Sequence, residues 1–283
     1  MDTEPEHQLA TLQIPGLGRE LKLYVHDSIE TVSSRMLELG EWEPSETHCM
    51  QLILGEGDFV IDVGANIGYY TLLASQLVGS SGRVLALEPD ELNFKLLAKN
   101  TQEFGNNNVK LLQVAAAAKS GPGFLYRSED NFGDHRIFSN RSDATGQNIT
   151  TVTLDKLVLE WGTRPNLVKI DCQGAETNIL QGMAGMFNNP DLVPSAMLVE
   201  YWPYALTQSG SSAQEMLSCI PVSEYEIWNI SPWDMQPFKT DQRSLLMMAD
   251  NEKTPEAKPY TVFTNLLLIH KSANKLLVAA ADL

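Results

Sequence analysis

Hydrophobic and polar positions along the chain fall into short segments of alternating type. "ELKLYVH" (20–26) alternates apolar and polar residues as a half-buried strand does. "IETVSSRMLELG" (29–40) has helical spacing and ends at a glycine suited to a C-cap. "EWEPSETHCMQLIL" (41–54) predicts a loop running into a helix, with Ser45 as N-cap. "DFVIDVG" (58–64) is a continuous apolar strand, followed by the helical "YYTLLASQLV" (69–78). The same rhythm repeats with "RVLALEP", "ELNFKLLAKNTQEFG" and "VKLLQVA" (83–115).

After an irregular stretch come a helix in "LDKLVLEWG", a strand in "NLVKID" and a helix in "AETNILQGMAGMF" (154–187). "SAMLVEYW", "SAQEMLSCI", "YEIWNI" and "VFTNLLLIH" supply a strand, a helix and two last strands (195–270). Strands alternating with helices predict right-handed crossovers and a doubly wound α/β sheet covered on both faces. Residues 231–261 are polar and predict no helix, so the last pair of strands is expected to be antiparallel. The expected fold is a seven-stranded, mostly parallel, Rossmann-like sheet with an antiparallel last strand and an N-terminal extension. The boundaries fall at 1–50 for the extension, 51–272 for the domain and 273–283 for a C-terminal tail.

Composition narrows the function. The 283 residues carry a formal charge of −16. That field repels a phosphate backbone, so nucleic acid is not an expected partner. Cys49, Cys172 and Cys219 are far apart and show neither zinc spacing nor a disulfide framework. Together with the lack of a leader-like apolar segment, this predicts a reducing, cytoplasmic setting. No run of eighteen apolar residues predicts a membrane span. No histidine pattern predicts a metal.

The chemistry centres on "DVGANIGYY" (62–70). Gly64 and Gly68 free the backbone where a ligand would approach the end of the first strand of the domain. Asp62 places an anion there, and Glu88 ends the next strand, where a carboxylate can accept hydrogen bonds from both hydroxyls of a ribose. A nicotinamide dinucleotide needs G-x-G-x-x-G, and the third glycine is absent. An anion beside a pyrophosphate is unfavourable, whereas beside a cationic amino acid and sulfonium it is favourable. The expected cofactor is S-adenosylmethionine.

At this point the sequence resembles the FkbM-type family of class I S-adenosylmethionine-dependent methyltransferases, over about residues 20–270. "GDFVIDVGANIGYYTLLAS", "VLALEPDELNFKLLAKN", "ITTVTLDKL", "LVKIDCQGAETNILQG" and "TNLLLIH" carry the resemblance. It implies a cofactor pocket formed by Asp62, Gly64, Ala65, Asn66, Gly68, Thr71, Glu88, Pro89, Asn93, Ala115, Ala116 and Asp171. It also implies a small-molecule acceptor, a hydroxyl of a sugar or a polyketide-like natural product. The chain departs from the family where a glutamate is replaced by Gln173, which leaves a non-catalytic cofactor binder as a rival reading, beside methyl transfer to nitrogen of a peptide.

Methyl transfer to an alcohol needs the acceptor positioned and its proton removed. Asp171 ends the fourth strand of the domain, Glu176 opens the next helix and Glu200 ends the fifth strand, so the three could converge. His135, in "DNFGDHRIF", titrates in the range of a general base. Asp171, His135 and Glu176 are the expected catalytic residues.

Overall fold

A computed structural model of the chain describes residues 7–26, 31–40, 42–127, 135–137, 145–231, 236–251 and 262–280. Strands β1 (Gln8–Leu12) and β2 (Leu21–Val25) form an antiparallel hairpin. Helices α1 (Thr31–Leu39) and α2 (Pro44–Ile53) follow. The alternating units are then β3 (Phe59–Val63), α3 (Tyr69–Leu77), β4 (Arg83–Leu87), α4 (Glu91–Phe104) and β5 (Val109–Leu112). Strands β6 (Ala115–Ala116), β7 (Gly121–Tyr126) and β8 (Gly146–Val152) form a small separate sheet. Next come α5 (Leu154–Trp161), β9 (Leu167–Ile170), α6 (Glu176–Gln181), α7 (Ala184–Phe187), β10 (Ala196–Tyr201), α8 (Pro203–Gln208) and α9 (Ala213–Ser218). The described elements end with β11 (Tyr225–Ile230), β12 (Phe238–Thr240), α10 (Gln242–Asn251), β13 (Thr264–His270) and α11 (Asn274–Ala279).

The main sheet has the order β12-β11-β13-β10-β9-β3-β4-β5. Neighbours from β10 to β5 are parallel, and β13 runs antiparallel to both β10 and β11. The chain moves outward from β3 through β4 to β5, then returns to the other side of β3 with β9. That reversal opens a crevice beyond the carboxyl ends of β3 and β9, where such sheets bind ligands. Strands β3, β9 and β10 are buried at every residue. This is why they appear in the sequence as apolar runs, each broken by one charged residue: Asp62, Lys169 or Glu200.

The mostly parallel sheet and its antiparallel β13 agree with the sequence. The strand count does not: the sheet has eight strands rather than seven. The eighth is β12, in the polar stretch that predicted no helix, and α10 follows it there. Leu245 and Ala249 of α10 are buried in the main core, and Tyr201 donates to the Leu245 carbonyl at 2.8 Å. A helix with two buried anchors is held by packing, which local polarity hides. The expected strand 109–115 is split, because β6 leaves the main sheet to pair with β8. Strand β1 lies in a stretch for which the sequence predicted none.

Ser45 is not the N-cap of α2. Pro44 occupies the first turn, and Glu43 is the capping residue with φ 42° and no side-chain cap bond. Proline presets the helical φ there and needs no N–H partner. The extension shares one core with the domain: Leu12, Leu23, Met36 and Met50 pack with Val60, Leu72 and Leu198.

Candidate active site

A cavity of about 290 Å³ opens at the switch point, beyond the carboxyl ends of β3, β4, β9 and β10. Its size is close to the small end of ligand pockets. Val32, Arg35, Met36, Trp42 and Glu43 of the extension line it from the other side.

One end is organised by backbone. The N–H groups of Gly64 and Ala65 both donate to the Leu87 carbonyl at 3.0 Å, folding the loop after β3 onto β4. Glu88 is buried there, with Oε2 accepting from the Asn66 N–H and Oε1 from the Asp90 N–H, each at 2.8 Å. Each oxygen keeps a further lone pair. Burial raises the Glu88 carboxyl from 4.5 to about 8, against the pull of those two amides. Leu87, Pro89, Val114, Ala115, Ala116 and Leu125 add an apolar wall suited to a flat ring.

The glycines answer to the protein itself. A Cβ at Gly64, with φ 81°, would overlap the Asp171 carbonyl oxygen. One at Gly68, with φ 100°, would lie 2.7 Å from Leu97 Cδ1. Gly68 does not line the cavity, nor do Asp62 and Thr71, whereas Gly64, Ala65, Asn66, Glu88, Pro89, Asn93, Ala115, Ala116 and Asp171 do. Asp62 is buried beneath the loop, with Oδ2 accepting from the Thr71 hydroxyl at 2.6 Å. The approach that demands small residues is therefore that of β3 to β9 and α3 to α4.

The other end is built from charges. Lys169 interrupts the apolar strand β9 and is 4% exposed. Its Nζ lies 3.0 Å from Asp171 Oδ2 and 4.3 Å from the centre of the Tyr70 ring. Burial alone would lower the lysine, but Asp171, Asp62 and Glu43 outweigh it and hold the ammonium above its ordinary value. Gln173, with φ 51°, donates from Nε2 to Asp171 Oδ1 at 2.9 Å and to Glu200 Oε1 at 2.8 Å. Glu43 accepts from the Tyr70 hydroxyl at 2.6 Å. Burial, then Glu46 and Asp171, push the Glu43 carboxyl up to about 8.

Of the expected catalytic residues, the cavity brings Asp171 and His135 to its wall. His135 Nε2 lies 3.9 Å from Asp90 Oδ2, an oxygen that also receives Arg127 Nε at 2.7 Å. Its ion-pair partner is thus the N-cap of α4, at the Glu88 end. The rest of its expected loop, residues 128–134 and 138–144, lies outside the described residues. Glu176 does not line the cavity. Its Oε1 accepts from the N–H groups of Cys172 at 3.0 Å and Gly174 at 3.2 Å, so it braces the turn after β9.

Lys169, Glu43, Tyr70 and Trp42 were missed as site residues. Lys169 had a usable signal, since a lysine inside a strand buried on both faces needs a partner. Trp202 lines the cavity beside Phe263, with ring centres 5.7 Å apart. Tyr201 faces the core instead. Among the described residues, no group of three or more histidine, cysteine or acidic side chains is arranged to hold a metal ion. No described helix is long and apolar enough to cross a membrane.

The donor set fits S-adenosylmethionine. Glu88 retains lone pairs for two ribose hydroxyls, and Glu43, Asp171 and Glu200 line the cavity with Lys169 as its buried cation. A cationic ligand helps these raised carboxyls ionise, whereas a pyrophosphate would hold them protonated.

The hexuronic acid methyltransferase AglP of Haloferax volcanii is 28% identical over 140 residues, 49% of this chain and 55% of that protein. A protein-L-isoaspartate O-methyltransferase of Methanococcus maripaludis is 38% identical over 64 residues, 23% of this chain and 30% of that protein. The chain thus spans between about a third and about half the length of these relatives. Among solved structures, an S-adenosylmethionine-dependent O-methyltransferase of Thermotoga maritima matches with a TM-score of 0.42 and 15% identity, covering 90% of this chain and 74% of that one. Fibrillarin of Aeropyrum pernix with bound S-adenosylmethionine matches with a TM-score of 0.41 and 10% identity, covering 77% and 68%. The methyltransferase FkbM domain matches residues 62–224, from the strand that carries Asp62 to the approach of β11. Since that match takes in more than half of the sequence, the chain belongs to the FkbM family of methyltransferases, and its methyl donor is S-adenosylmethionine.

Proposed function

We propose that the protein is an O-methyltransferase acting on a hydroxyl of a sugar or polyketide-like natural product. The observation that carries this reading is the acceptor end of the cavity. Three carboxylates, Glu43, Asp171 and Glu200, line it beside the rings of Trp42, Trp202 and Phe263. Carboxylates accept hydrogen bonds from hydroxyls, and aromatic faces pack against the C–H faces of a sugar ring. The likeness to a hexuronic acid methyltransferase supports the same class. The charge of −16 favours such an acceptor over nucleic acid.

In this reading Glu88 holds the ribose, and Gly64, Ala65 and Asn66 present backbone to the methionine part. Asp171, fixed from one side by Lys169 and from the other by Gln173, joins the cofactor end to the acceptor end. Bound there, S-adenosylmethionine supplies an electrophilic methyl group on a positively charged sulfur. The extension, through Val32, Arg35, Met36, Trp42 and Glu43, acts as a lid that excludes water and orients the acceptor. His135, paired with Asp90, is assigned to the Glu88 end rather than to the proton.

The test is transfer of labelled methyl from S-adenosylmethionine to methyl β-D-glucuronide and methyl β-D-glucoside, with calorimetry against S-adenosylmethionine and NAD. Methylation of a sugar hydroxyl, with binding of S-adenosylmethionine and not NAD, is expected. A protein that binds the cofactor and transfers methyl to neither sugar would contradict the acceptor class.

A further inference from the structure

Glu200 is the last residue but one of β10 and is 1% exposed, yet it lines the cavity. Its two oxygens differ. Oε1 accepts from Gln173 Nε2 at 2.8 Å, while Oε2 has no hydrogen-bond partner. Leaving a buried carboxylate oxygen unpaired is costly, so a folded protein that keeps one against a cavity implies a ligand to satisfy it. Asp62 Oδ1 and Glu176 Oε2 are also unpartnered, but neither residue lines the cavity. Glu200 alone of these three faces the space.

Gln173 explains how Glu200 and Asp171 coexist. One amide donates to both carboxylates and draws them together without adding a charge. A glutamate at this position would put a third carboxylate between them and raise their hold on a proton further. The left-handed backbone at Gln173 aims the amide at this pair.

We propose that Glu200 is the acceptor-facing base of the site and that Gln173 is the residue that positions it. The proposal rests on the hydroxyl-acceptor reading above. The acceptor oxygen forms its bond to the methyl carbon, and the carbon–sulfur bond breaks with its electron pair going to sulfur. The hydroxyl proton passes to Glu200 Oε2 and then to solvent. The methyl ether and a neutral thioether are left.

The surroundings set when Glu200 can act. Burial, followed by Asp171 and Glu176, holds its carboxyl well above the usual range, and Glu43 adds to this while Lys169 opposes it. Asn265 of β13 stands opposite Glu200 and spends its amide on Glu46. These surroundings favour the proton-bound form of Glu200 in the empty site. A positively charged sulfur nearby favours loss of that proton, and the neutral thioether does not.

The test compares Glu200→Gln with the parent, both as full chains. Calorimetry in two buffers of different ionisation heat measures protons released on binding S-adenosylmethionine and S-adenosylhomocysteine at pH 7. The parent is expected to release a proton with the first and not the second. The variant should lose this difference and bind S-adenosylhomocysteine within about threefold of the parent. Equal proton release by parent and variant would overturn the proposal. This readout needs no acceptor, so it stands apart from the acceptor reading. If the parent methylates neither methyl β-D-glucuronide nor methyl β-D-glucoside while the proton difference holds, the sugar reading fails and the Glu200 assignment is supported. With either sugar accepted, Glu200→Gln should lower turnover about 10²–10⁴-fold, the range for a positioned base. Unchanged turnover would again overturn it. Gln173→Glu should raise the pH at which the rate climbs; a profile identical to the parent's would remove Gln173 from the positioning role.

Discussion

The two ends of the cavity are built on different principles. At the Glu88 end the loops after β3 and β4 come from adjacent strands, and backbone groups do most of the bonding. At the Glu200 end the side chains come from four separate places: the turn before α2, the start of α3, the end of β9 and the end of β10. Their contacts run from side chain to side chain: Lys169 to Asp171, Tyr70 to Glu43, and Gln173 to both Asp171 and Glu200. The first end can be assembled by local sequence, because a tight loop and one carboxylate suffice. The second end exists only when distant segments bring opposite charges together, and it leaves more acid than base. The comparison suggests that the Glu88 end holds a constant partner and the Glu200 end holds the acceptor.

The sharpest way to break this comparison is Lys169→Met. It removes the buried cation that Asp171, Asp62 and Glu43 surround. Removing one partner of a buried ion pair costs about 3–5 kcal/mol. Urea unfolding should show a loss of that order at pH 7, and a smaller loss at pH 5, where Asp62, whose carboxyl burial raises, carries less charge. A loss below about 1 kcal/mol at pH 7 would mean the charges are solvated. At the other end, Glu88→Ala should weaken S-adenosylmethionine binding by about 2–4 kcal/mol, the worth of two hydrogen bonds to a charged acceptor. Calorimetry checks this, and an affinity within twofold of the parent would take the ribose away from Glu88.

Stability should follow pH in a direction set by both ends. In the folded protein the carboxyls of Glu43 and Glu88 are raised from 4.5 to about 8, and that of Glu176 to about 7. The folded form binds more protons than the unfolded form between these values. Its contribution to stability is therefore full below about pH 4.5 and is lost as pH rises toward 8. The Tm of the empty protein should fall from pH 5 to pH 8, by about 2–4 °C for each kcal/mol lost. A Tm that rises over this range would contradict the burial of these carboxyls. The smallest effect belongs to Tyr70→Phe. It removes the hydrogen bond to Glu43 that ties the extension to α3 and should cost about 1 kcal/mol. Limited proteolysis should cut residues 31–43 faster in this variant; equal cutting would show that the bond does not hold the segment down.

The Glu88 end was largely legible in the sequence. Gly64, Asn66 and Glu88 were placed by strand ends and turn chemistry, and all three line the cavity. Asp62 and Gly68 were placed in the same loop for a different reason from the one the structure gives. Both serve packing between elements, which a linear pattern does not distinguish from contact with a ligand. Glu176 was expected in the cleft because it opens a helix near Asp171. The structure turns it inward to brace two backbone amides. The sequence places Glu200 at a neighbouring strand end without a catalytic assignment, and only the surroundings separate the two.

Periodicity determined the alternating strands and helices from β3 to β5 and from α5 to β10, because each burial pattern is imposed by local geometry that repeats every 2 or 3.6 residues, whereas β7 and β8 lie in a stretch without such a pattern. The loop after β3 was equally local, since it needs small residues within a few positions. Tertiary structure alone decided that β6 leaves the main sheet, that β12 and α10 form in a polar stretch, and that Gln173 joins Asp171 to Glu200. Each of these depends on a partner far away along the chain. The free energy comes from burial or from paired charges that no local window contains.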